Sequence, residues 1–146
     1  MTQIKAGALR LGQVVVMSEQ PLIDIQKQTI ISLVKETQFA PNGIVSRTVL
    51  RTPDSRVVLF GFAAGQELSE HTSTQHALIQ ILSGECDFML AGQSHLLKAG
   101  DLLYMPPDLS HAVKATQQFS MLLTLFKPAV VAAKKLPALK AVGRGK

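Results

Sequence analysis

The reading of this chain rests on Gly65-Gln66-Glu67-Leu68-Ser69-Glu70-His71-Thr72-Ser73-Thr74-Gln75-His76 and on Gly100-Asp101-Leu102-Leu103-Tyr104-Met105-Pro106-Pro107-Asp108-Leu109-Ser110-His111. Both stretches begin at a glycine, pass through a β-type segment and deliver histidine to a strand end. Between them, Ala77-Leu78-Ile79-Gln80-Ile81-Leu82 is an apolar run closed by Ser83-Gly84, and Glu85–Leu90 faces Gln93–Lys98 across Ala91-Gly92. A glycine in a two-residue connection supplies the positive φ that tight hairpins need, so this interval is expected to be a compact hairpin.

Strands continue on both sides. Ile44–Arg51 alternates and is rich in β-branched residues, Thr52-Pro53-Asp54-Ser55 reads as a turn, and Arg56–Phe62 is a nearly continuous apolar strand. Glu67–Thr72, Leu102–Met105, His111–Ala115 and Phe119–Phe126 complete the set, with Pro106-Pro107-Asp108 as punctuation. Many short strands at a spacing of roughly 8–12 residues predict an all-β sandwich or barrel. Upstream, Lys27 to Glu36 places Ile30, Ile31, Leu33 and Val34 at helix-like intervals, which predicts a short helix packed on the barrel and broken by Pro41-Asn42-Gly43. The expected organisation is a lead with a short helix over 1–43, a barrel over 44–126 and a basic, flexible tail over 127–146, where Pro137 interrupts any helix. Met17 offers an alternative start.

A chain of 146 residues is most simply one domain, and 47% apolar with 17% charged residues is a globular composition. The single cysteine, Cys86, excludes an internal disulfide framework and, inside an apolar strand, reads as packing rather than a nucleophile. The net charge of +5 belongs to the tail: Lys127, Lys134, Lys135, Lys140, Arg144 and Lys146 stand there without an acid, and the rest of the chain holds 9 basic and 10 acidic groups. Nucleic-acid motifs are absent, so the tail alone would meet phosphates, with steep salt dependence. No apolar run approaches the ~20 residues of a membrane helix. No apolar leader with a small-residue cleavage site is seen either, so the expected location is cytoplasmic.

The two glycine-led stretches resemble the two motifs of the cupin family. The first family motif runs Gly, five residues, His, one residue, His, three or four residues, Glu, six residues, Gly. Gly65, His71 and Gly84 fall on it, with Ser73 at the second histidine position and Ala77 at the glutamate position. The second runs Gly, five residues, Pro, one residue, Gly, two residues, His, and is matched by Gly100, Pro106 and His111, with Asp108 in place of the second glycine. The chain is thus similar to a small single-domain cupin of the conserved-barrel type. The resemblance implies a double-stranded β-helix, a jelly-roll barrel, with metal ligands facing inward. It also implies a homodimer formed by sheet packing or by exchange of an N-terminal strand.

Strand parity sets His71 and Ser73 on one face. His76 begins the return strand and His111 arrives from the second hairpin, so three imidazoles at His71, His76 and His111 would suit one divalent Fe, Zn, Ni or Cu ion. Ser73, Gln80, Tyr104 and Met105 are the expected ligand-pocket residues. The alternative is a metal-free pocket in which His71 and His111 donate hydrogen bonds to carbonyls or to Gln80; if Ala77, Ile79 and Ile81 face inward, His76 and Gln80 are both exposed. His95 reads as a surface residue.

Three functions follow: a barrel that binds a small molecule with or without a metal, a metal-dependent dioxygenase, isomerase or lyase using the three histidines, and a non-catalytic dimeric structural or regulatory module.

Overall fold

A computed structural model describes residues 9–11, 14–16 and 20–129 of the chain. The expectations for Met17 and for a flexible tail beyond residue 129 fall outside the described residues. Among these, eleven strands form two sheets. One carries, in spatial order, β1 (Leu9–Leu11), β2 (Val14–Val16), β3 (Ile44–Arg51), β4 (Ser55–Phe62), β11 (Phe119–Phe126), β6 (His76–Ser83) and β9 (Leu102–Met105). The other carries β5 (Glu67–His71), β10 (His111–Lys114), β7 (Glu85–Leu90) and β8 (Gln93–Lys98). Neighbours are antiparallel, except that β2 runs parallel to β3. The all-β jelly roll expected from the sequence is the fold observed, and the lead before residue 27 adds two strands that its weak patterning did not announce.

Alternation along the strands builds the core. Ala77, Ile79 and Ile81 of β6, Cys86 and Phe88 of β7, and Phe119 and Met121 of β11 are buried between the sheets. Phe62 and Phe119 stack there with ring centroids 4.5 Å apart, and burying each such side chain stabilises the fold by about 1.5–3 kcal/mol. Burial, reinforced by Asp87 and Asp101, pushes the Cys86 thiol up to about 12, so it remains protonated and is a packing residue. The connection at Ala91-Gly92 has φ of 47° and 82°, two successive positive values that match the twist of the strands it joins.

The helix is shorter than the apolar spacing predicts. Only Leu33–Glu36 is helical, α1, and Ser32 caps it by accepting a hydrogen bond from the Lys35 amide. Ile30 is 91% and Val34 86% exposed, so no apolar face is buried to hold residues 27–32 in a helix. The β-branched run Thr29-Ile30-Ile31 disfavours it further. Residues on either side of this segment reach β3 and β4 instead. Leu22 and Ile23 donate backbone hydrogen bonds to Thr48 and Val49, and Arg47 grips Glu36 at 2.6 Å.

Gly61 permits this approach. A methyl group added there would stand 2.0 Å from the Gln38 carbonyl oxygen. Gly61→Ala is therefore expected to destabilise the protein by about 3 kcal/mol, the upper end of overpacking costs, in a urea titration; an unchanged midpoint would show that the segment yields instead.

Candidate functional site at the barrel mouth

His71 is the last residue of β5 and His111 the first of β10, and they are direct cross-strand partners. Their ring centroids lie 4.2 Å apart with planes tilted by 59°. A β-bulge sets this up. Val113 pairs with Leu68 while His111 pairs with His71, so Ser69 and Glu70 together oppose Ala112 alone. The extra β5 residue shifts the alternation, and Leu68 and His71, three positions apart, both line one cavity.

That cavity measures about 280 Å³. Hydrocarbon side chains from both sheets form its walls, among them Phe60, Ile79, Phe88 and Leu123, and the thioethers of Met105 and Met121 fill between them. Polar groups enter through His71, Ser73 and His111. His71 is exposed and His111 half-buried, which places the pair at the mouth.

The tautomer of each ring follows from its partner. His71 Nδ1 lies 2.7 Å from the Ser69 carbonyl oxygen, and His111 Nδ1 lies 2.8 Å from that of Leu109. A carbonyl only accepts, so each Nδ1 carries the proton, and in the neutral ring each Nε2 is a bare acceptor. Burial lowers the pKa of His111 below the ordinary 6.5; the Leu109 carbonyl opposes the shift and nearby His71 adds to it. This ring is therefore neutral at neutral pH.

Backbone bonds brace the mouth. The Asp108 amide donates to the Ser73 carbonyl at 2.7 Å, and the Ala91 amide to that of Ser110 at 2.9 Å. Asp108 has φ of 66°, which explains why the related motif carries glycine there and why aspartate, tolerant of the left-handed region, replaces it. On the outside of the sheet the Ser110 hydroxyl donates to the Glu70 carboxylate.

The structure gathers His71, His111, Ser73 and Met105 around the cavity and separates His76, Gln80 and Tyr104 from it. Ala77, Ile79 and Ile81 face inward, so strand parity turns His76 and Gln80 to the outer face, where Gln80 is exposed. His76 Nδ1 instead meets the Tyr104 hydroxyl at 2.8 Å, and its ring stacks on Phe126 at 4.9 Å. The expected three-histidine cluster is thus not assembled. Ser73 Oγ accepts from the Gln75 amide and fixes the turn that carries the chain outward before His76. His95 is exposed on β8. Sequence reading missed the cavity walls, because Phe60, Phe88 and Met121 carry the same apolar signal as solid core; inward parity on facing strands is what could have singled them out.

Two facing sheets, and histidines from two glycine-led stretches at the mouth of the space between them, define a double-stranded β-helix with an internal cavity. Residues 58–126 match the family described as the cupin domain. The chain is 25% identical over 114 residues to an uncharacterised protein of Aquifex aeolicus (strain VF5), covering 78% of this chain and 89% of that one. A conserved protein of unknown function from Streptococcus pyogenes shares 27% identity and superimposes with a TM-score of 0.66, covering 77% of this chain and 98% of the other. A cupin superfamily protein from Desulfitobacterium hafniense DCB-2 has the same fold at 24% identity and a TM-score of 0.65, over 70% of this chain and 94% of that one.

The lowered pKa of His111 has a measurable consequence. Its ring is expected to titrate below 6.5 in NMR spectra. The folded state then binds this proton less readily than the unfolded state, so stability is complete above pH 6.5 and declines as pH falls from there toward the lowered value. A ring that titrates at or above 6.5 would contradict the burial.

Proposed function

We propose that this protein binds a small organic molecule inside the barrel, at the cavity whose mouth carries His71 and His111. The carrying observation is the cavity itself: about 280 Å³, walled by hydrocarbon and approached past two imidazoles whose Nε2 atoms have no protein partner among the described residues. Small-molecule sites have this composition, mostly apolar walls with a few placed polar groups.

The divalent metal that the family resemblance implies does not suit the donors present. An open metal site uses three protein ligands, and among the described residues no three His, Cys, Asp or Glu side chains converge. Ser73 and Ala77 stand at two of the usual ligand positions, and His76 is engaged on the outer face with Tyr104. The dioxygenase, isomerase and lyase readings all need that third imidazole. Binding without a resident metal is the function that these residues support best.

A homodimer is proposed to cover the outer face of β6, β9 and β11. Edge strand β9 presents Leu102, 68% exposed, and Tyr104, 50% exposed, beside half-buried Leu78 and Phe126. An uncovered sheet edge with apolar side chains favours association. Sedimentation should show a dimer, and Leu102→Glu should shift it toward monomer; a monomeric parent chain would refute this assignment.

An inventory of metal and organic ligand in protein purified without chelator tests the main proposal. Metal is expected far below one ion per chain and unchanged in His71→Ala and His111→Ala. An ion bound near one per chain and lost in both variants would overturn the metal-free reading.

A further inference from the structure

We infer that the molecule this cavity selects is uncharged, about the size of one substituted ring, and carries a hydroxyl that donates a hydrogen bond to His71 or His111 at the mouth. The inference rests on the binding function proposed above and specifies the ligand for that site.

Size sets the first limit. A cavity of roughly 150 Å³ with Leu, Ile and Phe walls already accommodates benzene, and 280 Å³ is below the usual range of roughly 300–1,000 Å³ for small-molecule pockets. One ring with one or two substituents fits; a nucleotide or sugar chain does not.

Charge sets the second. Ten of the thirteen residues lining the cavity are apolar, and the remaining three are His71, Ser73 and His111. No Lys, Arg, Asp or Glu is among them. A carboxylate or ammonium inside would lose its hydration without gaining a counter-charge, which is strongly unfavourable.

Hydrogen-bond polarity sets the third. Each Nδ1–H is consumed by a carbonyl two residues back along the chain, Ser69 for His71 and Leu109 for His111. Each neutral ring therefore offers the ligand an acceptor and no donor. A ketone, ether or ester oxygen placed there would meet a lone pair, whereas an O–H satisfies it. Mispairing of this kind is what gives buried polar sites their discrimination.

The test uses phenol, toluene and benzoate as probes of the full chain by NMR titration at pH 8, above the ordinary imidazole pKa of about 6.5. The same titrations follow on His71→Phe and, separately, His111→Phe. The expected result is that phenol and toluene both bind, benzoate binds more weakly than phenol, and either substitution lowers the phenol-to-toluene affinity ratio about tenfold, the worth of one net hydrogen bond. His71 is at the exposed rim, so His71→Phe carries the test if His111→Phe does not fold. A ratio unchanged by substitution would overturn the donor assignment while leaving binding in the cavity intact. Benzoate binding more tightly than phenol would overturn the uncharged class. Failure of all three probes would overturn both this inference and the binding function beneath it.

Discussion

The register that sets His111 opposite His71 governs the polar rim of this barrel. Two imidazoles at adjoining strand ends are held about one ring-width apart by an antiparallel ladder, and an extra residue in β5 rotates His71 into line with Leu68. Without that bulge, ordinary alternation would place Leu68 and His71 on opposite faces of the sheet, and one of them would leave the cavity. The chemical character of the rim then follows from local bonds: each ring donates its Nδ1–H to a carbonyl two residues back along the chain.

Most of the fold was legible because its turns are punctuated. Ser83-Gly84, Ala91-Gly92, Ala99-Gly100-Asp101 and Pro106-Pro107 each stop a strand, and β7, β8 and β9 occur with the limits that these markers suggest. The helix was over-read because periodicity reports spacing and not burial; Ile30 and Val34 have the intervals of an amphipathic face with nothing packed against them. The strands of the lead were not announced by any pattern.

The site was half legible. Motif spacing brought out His71 and His111, since each lies a fixed distance beyond a glycine that begins its strand. It could not show the direction of His76, which depends on whether Ala77 or Leu78 enters the core, and a short apolar run without alternation leaves that parity open. Burial of Ala77, Ile79 and Ile81 settles it. The bulge was invisible for a related reason, because it depends on pairing between segments about forty residues apart. The cavity itself is a property of side-chain volumes summed over seven strands, and no single segment encodes it.

The bond from the Asp108 amide to the Ser73 carbonyl has a wider meaning. It joins the loop before β6 to the loop before β10 through main-chain atoms, so this link itself uses none of the side chains those loops display. A scaffold held this way can exchange the residues that touch a guest while keeping its frame, and recognition becomes separable from architecture. Serine at 73 serves the frame twice, since its carbonyl closes this link and its hydroxyl fixes the turn toward His76.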